Sequence, residues 1–496
     1  MQRTSTRKAK DNEADGEVWQ GVVVTHSTDE TGEPYSGDPA EGRGHLNKEP
    51  MGGNTVGTQE PSTRQEAADH VSTGRCRIAE IAKEYPEERL VSLAHHIDLW
   101  WLNEAYERTR KDGAKGIDGQ TAEDYKAHLR ENLESLKERA KSGAYRAPAV
   151  RRVYIPKAGS TETRPIGIPT FEDKVLQRAV VMVLEPIYEQ SFYDFSYGFR
   201  PGKSQHQALK RLRDGLMGNR GGWVIDLDIR KFFDTLDHGK LREIVAKRIG
   251  DGVICKLIDK WLKAGVMENG EVSYREEGTP QGGVISPLLS NIFLHEVLDD
   301  WFVKVVQPRM RGKSFMVRFA DDAVLGFETK ADAARVMAVL PKRFEKYCLT
   351  VHPDKTRLMD MRKPSHGCDK PETFPFLGFR HFWGKSRNGY WVVRQETDRS
   401  RQARAIKKVL DWLREHRHAP LGEQQAQLWM KMKGHYGYYG ITGNIRNLEL
   451  FARKVRDGWF KWLRRRSGER SLSWVQFERL LKRFPLPNPR IVHSYV

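Results

Sequence analysis

Cysteine is scarce in this chain. Its 496 residues hold four, Cys76, Cys255, Cys348 and Cys368. They are scattered, with no Cys-x-x-Cys pair, which argues against a structural zinc site and fits a reducing cytosol. Long apolar runs are also missing. No run approaches the roughly eighteen residues a membrane span needs, and the N-terminus lacks the apolar stretch of a secretion signal. Acidic charge is in deficit, with 66 Asp and Glu against 84 Lys and Arg, a net charge of +18 and a pI of about 9.6. That balance suggests a polyanionic partner, nucleic acid or an acidic membrane face.

Residues 1–75 are poor in large apolar side chains and hold eight Lys/Arg against thirteen Asp/Glu. Such a stretch cannot bury enough surface to offset its ordering entropy, so a disordered leader is expected over 1–76, with structure from near Arg77. Residues 399–496 reverse the balance, with twenty-two Lys/Arg against seven Asp/Glu. Their pattern is helical, and Trp412, Trp429, Tyr436, Tyr438, Tyr439, Trp459, Trp462 and Trp474 are interleaved with cations. A core explains the aromatics; the basic excess suggests phosphate contacts, sharpest at Arg464-Arg465-Arg466.

Between these ends, helices are expected over Ile78–Thr109, where Leu90, Leu93, Ile97 and Trp100 recur at helical spacing, over Ala122–Ala140 and over Phe171–Tyr188. Val150–Pro156 alternates as a strand and, with Arg164–Pro169, reads as a hairpin bearing Lys157 and Arg164 near its turn. Tyr197–Lys203 is a turn with two cations, Arg200 and Lys203, before a helix capped near Ser204. Gly278–Pro287 is a Pro/Gly loop whose backbone can approach a ligand; it opens a helix over Leu288–Phe302 with Ser286 as cap and Pro287 in the first turn.

Two stretches carry the chemistry. In Trp223–Ile229 the apolar Ile225, Leu227 and Ile229 alternate with Val224, Asp226 and Asp228, so carboxylates share one strand face, which suits a cation site better than a core. Phe319-Ala320-Asp321-Asp322 lies between two apolar runs and reads as a hairpin tip. Adjacent aspartates repel, and a divalent cation would offset that. Asp228, Asp321 and Asp322 form the kind of set that two-metal phosphoryl transfer uses, with Lys157 and Arg164 placed to meet a triphosphate.

The order of blocks decides between readings. Arg164-Pro-Ile-Gly-Ile-Pro169, Tyr197-Gly-Phe-Arg-Pro-Gly202, Asp228-Ile-Arg-Lys-Phe-Phe-Asp234, Gly278-Thr-Pro-Gln-Gly-Gly-Val-Ile-Ser-Pro-Leu-Leu-Ser-Asn291, Phe319-Ala-Asp-Asp322 and Phe376-Leu-Gly-Phe379 together resemble a reverse transcriptase of the group II intron kind, over roughly residues 90–480. The resemblance implies an α+β right-hand polymerase, with fingers and palm built on antiparallel sheet and an all-α thumb or maturase domain after them. An N-terminal extension and fingers are expected over 77–220, the palm with part of the fingers over 221–395, and the thumb with its nucleic-acid-binding tail over 396–496.

By position, Asp228, Asp321 and Asp322 would be the catalytic metal ligands for two Mg²⁺ ions, with the Ile229 carbonyl as a further ligand. Phe233 would exclude a ribose 2′-hydroxyl, Gln281 would hold the incoming dNTP, Lys157 and Arg164 its triphosphate, and Lys355 would protonate pyrophosphate. Arg200, Lys203 and Arg464–Arg466 would contact nucleic acid. The implied partners are group II intron RNA, an RNA template, a DNA primer or target and dNTPs, in a bacterial cytosol at the nucleoid and with no membrane. Phe319 stands where most members have Tyr. No Cys follows Cys368, so no zinc-stabilised endonuclease is expected. Two other readings stay open: an RNA-binding splicing scaffold without catalysis, and a related bacterial enzyme used for phage defence.

Overall fold

The computed structural model describes residues 64–156, 162–218, 222–268, 271–273, 282–364, 372–466 and 472–495. The chain divides into two units, Met1–Glu60 and Pro61–Val496. The first lies outside the described residues, and every helix and strand named here belongs to the second. Lys157 and the first four residues of the Gly278–Pro287 loop, Gly278 to Gln281, also fall outside the described residues.

Order begins before Arg77. Helix α1 spans Arg64–Glu84 and buries Val71 and Ile78, and Arg75 pairs with Glu185 at 2.6 Å. Burial against a neighbour stabilises a stretch whose composition alone would not. The helix expected over 78–109 is interrupted around Pro86: Leu90 forms a bridge with Ile249, and α2 restarts at Leu99–Glu107 under an Asp98 cap. Likewise Ala122–Ala140 is two helices, α3 (Ala122–Ala127) and α4 (Leu129–Ser142), broken at His128. A reciprocal Thr121–Asp124 capping box starts the first.

Strands β1 (Val150–Pro156) and β2 (Thr163–Ile168) form the expected hairpin. Helix α5 (Phe171–Tyr188) follows, capped by Thr170 and buried along most of its length, and then α6 (Gln205–Gly218). The Ser204 hydroxyl accepts from Gln207 N–H at 3.3 Å, and the Gln207 carboxamide oxygen returns a bond to Ser204 N–H at 2.8 Å. Next come β3 (Trp223–Leu227), α7 (His238–Arg248), α8 (Gly252–Leu262), β4 (Val266–Glu268), β5 (Glu271–Ser273) and α9 (Ser286–Leu294). Ile285, not Ser286, is the cap residue of α9, and it offers no side-chain bond; Pro287 does sit in the first turn. Beyond Leu294 the helix widens into two π-helical segments, His295–Asp300 and Phe302–Val306.

The second half holds β6 (Ser314–Phe319), β7 (Asp322–Phe327), α10 (Lys330–Glu345), β8 (Arg357–Asp360), β9 (Phe374–Phe376), β10 (Phe379–Lys385), β11 (Trp391–Thr397) and four helices, α11 (Arg399–Glu415), α12 (Leu421–Tyr439), α13 (Ile445–Arg466) and α14 (Trp474–Arg483). Among the described residues three sheets result, ordered β2-β1-β4-β5, β6-β7-β3-β8 and β11-β10-β9. The described strands within these sheets pair antiparallel, except β1 with β4.

The β6-β7-β3-β8 sheet separates two cores. Ile225, Leu227, Met316, Ala323, Leu325 and Phe327 face the larger, with α5, α7, α8 and α9. Val224, Val317 and Val324 face the smaller, with α6 and the β9–β11 sheet. The last four helices close a third core around Trp459, Phe451 and Leu428. This is the predicted plan of a mixed α/β body followed by a helical region.

Candidate active site

The β6–β7 hairpin pairs Phe319 with Asp322, leaving Ala320 and Asp321 as a two-residue turn. Ala320 takes the turn with φ +55°, a left-handed conformation that costs a residue with a Cβ about 1 kcal/mol or more. β3 pairs Leu227 with Ala323, so the next residue, Asp228, comes level with Asp322. Side chains alternate across a sheet, so Asp226, Asp228 and Asp322 lie on the face of Val224, Val324 and Val317. That face is apolar along the strands and acidic at the hairpin end.

Asp228 is fixed through its backbone. Its carbonyl accepts from His352 N–H at 2.8 Å, and Arg230 N–H donates to Thr350 O at 2.9 Å, with Ile229 bridged to Val351 between them. The ladder thus uses the peptide groups on either side of Ile229, whose side chain is buried. Asp228 N–H donates to Thr356 Oγ1 at 3.2 Å. Lys355, one residue before, brings its ammonium to 3.5 Å from Asp228 Oδ2. Phe233 lies in the short turn Phe232–Asp234 just after Asp228, half-buried, its ring 5.2 Å from that of Phe232.

The carboxylates repel one another. Burial first, and then the charges of Asp321, Asp228 and Asp226, push Asp322 up to about 7, with Arg401 in the first turn of α11 acting against them. Asp322 is itself exposed to solvent, so water screens part of this repulsion. Burial raises Asp321 too; Arg164 on β2 and Arg318 oppose the rise and Asp228 adds to it. Burial raises Asp226 to about 6, with Arg357 opposing. Among the described residues no three His, Cys, Asp or Glu side chains stand close enough to hold a metal ion outright. The donor chemistry nonetheless fits one: hard oxygen ligands whose mutual repulsion the nearby cations only partly offset suit a small divalent cation.

A buried polar cradle under the hairpin has no counterpart in the sequence reading. Arg318 is fully buried and forks onto Asp299 at 2.8 and 2.6 Å. Its Nη1 donates to Asn291 Oδ1 and to the Ala320 carbonyl, both at 2.9 Å. Burial would raise Asp299, but Arg318 and His295 hold it below the usual carboxylate range. Asn291 Nδ2 in turn donates to Gly198 O at 2.7 Å. At Gly198 a Cβ would lie 2.2 Å from Ala320 N; only glycine allows that segment so close to the turn. Asp299 sits in the first π-helical segment, a distortion often found at functional sites.

Arg200 requires a correction. Instead of facing nucleic acid it is buried, forked onto Glu189 with a closest approach of 2.8 Å and donating to the carbonyls of Tyr193 and Ser196 at 2.6 and 2.8 Å. Its cation ties a tight turn to α5. Lys203 is committed to Asp194 at 3.0 Å. Arg464, Arg465 and Arg466 are exposed at the end of α13; Arg465 lies 5.1 Å over Trp462 and Arg466 donates to Ala419 O at 2.9 Å. The Leu377-Gly378 turn between β9 and β10 meets the helical region, where Tyr438 Oη donates to Leu377 O at 2.8 Å and Asp398 N–H to Gly378 O at 3.0 Å.

Comparison with known proteins agrees with this geometry. Residues 155–381 match the family model described as reverse transcriptase (RNA-dependent DNA polymerase). Protein YkfC of Escherichia coli is 37% identical over 325 residues, 58% of this chain and 82% of the relative. The chain belongs to the reverse transcriptase family. Group II intron-encoded protein LtrA of Lactococcus lactis is 39% identical over 227 residues, 45% of this chain but 37% of that protein. Nuclear intron maturase 2, mitochondrial, of Arabidopsis thaliana is 28% identical, over 41% of this chain and 31% of its own length. These relatives place this reverse transcriptase with the group II intron kind. The matched region holds the β1–β2 hairpin's end, the acidic hairpin, its cradle and the Leu377-Gly378 turn. Among the described residues no helix is long and apolar enough to cross a membrane.

Proposed function

We propose that this reverse transcriptase copies RNA into DNA at the acidic end of the β6-β7-β3-β8 sheet, and that it binds group II intron RNA and assists its splicing. The observation that carries the catalytic reading is the level placement of Asp228 with Asp322 beside the Asp321 turn, where carboxylates on one face repel and await a counter-charge. Asp228, Asp321 and Asp322, with the Ile229 carbonyl, would hold two Mg²⁺ ions. Bound there, such ions supply Lewis acidity at the primer 3′-hydroxyl and at the leaving pyrophosphate.

The chain's own groups do the rest. Arg164 and Lys157 attract the triphosphate; Arg164 is near enough to the site that its charge opposes the rise at Asp321. Gln281 holds the nucleotide, Phe233 closes the space beside the sugar, and Lys355 stands beside Asp228 to give a proton to the departing pyrophosphate. We assign fingers from the first helix to about residue 220, palm to about 395 and thumb beyond. In the thumb, Arg464–Arg466 and exposed aromatics such as Trp429, with Lys433 at 3.8 Å over its ring, suit stacking and phosphate contact with RNA. RNA template, DNA primer or target and dNTPs are the partners, which places the protein at the nucleoid in a bacterial cytosol.

The test is primer extension on an RNA template with dNTPs, with Mg²⁺ present or chelated. Mg²⁺-dependent DNA synthesis is expected. Tight, salt-sensitive RNA binding with no synthesis in either condition would instead favour a splicing scaffold.

A further inference from the structure

The loop that enters α9 is pinned at two points. Gly282 lies at φ +113°, and a Cβ there would meet the Gly167 carbonyl oxygen at 2.6 Å and Ile166 Cγ2 at 2.7 Å. The loop backbone is therefore pressed onto β2, the strand that carries Arg164. Three residues on, Ile285 N–H donates to Gln177 Oε1 at 3.2 Å. Gln177 Nε2 donates to Asp173 Oδ2 at 3.0 Å. Asp173 Oδ1 accepts from Tyr145 Oη and from Trp261 Nε1, both at 2.6 Å.

Asp173 is 1% exposed and Gln177 3%. A carboxylate buried among neutral donors is costly: burial raises Asp173 to about 6 despite three hydrogen bonds. Close packing alone gives no reason to place a charge there, and the palm carboxylates make no use of it. The relay joins α5, α8 and the segment before β1 to the Ile285 N–H of the loop.

We infer that Asp173 and Gln177 are positioning residues for the incoming nucleotide, holding the Ile285 peptide and thereby keeping Gly282 pressed onto β2, the strand that carries Arg164. This rests on the polymerase reading above. The direction of the hydrogen bonds is what matters. An ionised Asp173 can only accept, so Gln177 must turn its NH₂ to Asp173 and its carbonyl to Ile285 N–H. Asparagine at 173 keeps the shape, but with its oxygen taken by Tyr145 and Trp261 it offers Gln177 an NH₂. Gln177 then reverses its amide and sets its own NH₂ against Ile285 N–H, donor against donor.

The test is steady-state extension with a dNTP titration for wild type, Asp173→Asn and Gln177→Met, with RNA–primer affinity and thermal midpoint measured alongside. Loss of one buried hydrogen bond at the loop predicts a KM for dNTP raised about five- to tenfold in both variants, with kcat and RNA–primer affinity near wild type. If Asp173→Asn does not fold, Gln177→Met decides, because it removes the acceptor while keeping volume. A KM within twofold of wild type overturns the inference, and so does a joint fall of kcat, dNTP affinity and thermal midpoint. A wild type that extends no primer overturns the polymerase reading instead, and this inference with it.

Discussion

Replacing Arg318 by methionine separates what the buried pair does for stability from what it does for the hairpin. Neither Arg318 nor Asp299 has solvent exposure. Removing the cation leaves Asp299 charged in the core, and breaking a buried pair on one side costs about 3–5 kcal/mol. Asn291 Oδ1 and the Ala320 carbonyl also lose their donor, at ~1–3 kcal/mol for each unsatisfied buried acceptor. These contributions share a site and do not simply add, so the single variant is expected to lose about 4 kcal/mol or somewhat more. Removing both charges, Arg318→Met with Asp299→Leu, leaves no buried ion. Apolar replacement of a buried pair is often neutral, so this variant should come back to within ~2 kcal/mol of wild type. Its polymerase activity should stay low, because the Ala320 carbonyl is still unheld and the strained turn that aims Asp321 is loosened. Urea unfolding by tryptophan fluorescence and RNA-templated primer extension read the two quantities. A single variant within about 1 kcal/mol of wild type would refute the reasoning. So would a double variant that regains stability and full activity together.

Gly198→Ala forces a Cβ onto Ala320 N; extension should drop sharply, with a stability loss of ~2 kcal/mol from backbone displacement, and undiminished extension would show that the contact relaxes freely. Phe233→Ala should relax discrimination against ribonucleotides, read as the ratio of kcat/KM for dNTP over rNTP; an unchanged ratio would remove that ring from sugar selection. His435 is buried against Phe451 at a ring distance of 3.8 Å, and burial lowers its pKa to about 3. Below its unfolded value, near 6.5, the unfolded chain takes a proton that the folded chain refuses, so stability is present above about 6.5 and is lost progressively as pH falls. His435→Phe should therefore flatten the loss of stability between pH 7 and pH 5 in denaturant titrations; an unaltered slope would contradict the burial argument.

Much of the site was legible because its signals are local. Period-two alternation set Asp226 and Asp228 on one strand face, and two apolar runs around Phe319–Asp322 marked the hairpin. An apolar stripe marked α5 over Phe171–Tyr188, the residues observed. What stayed hidden depends on distant partners. Arg318 reads as one cation in an apolar strand, and only the fold brings Asp299 and Asn291 to it. Gly198 looks like ordinary turn chemistry until its contact with Ala320 is seen. Arg200 sits in a motif rich in turn residues and cations, which suggests an exposed role; folding turned it inward to Glu189 and two carbonyls. The early start of α1 was masked by polar composition, since the packing of Val71 and the Arg75–Glu185 pair cannot be read from the segment itself.

The central claim is that the carboxylates at the hairpin are the polymerase. Primer extension on an RNA template with dNTPs and Mg²⁺, run side by side for wild type and Asp321→Ala/Asp322→Ala, tests it most directly. The account predicts DNA synthesis by the wild type and none by the double variant, with RNA binding retained in both. Equal synthesis by the two proteins would mean that the hairpin is not where the chemistry occurs.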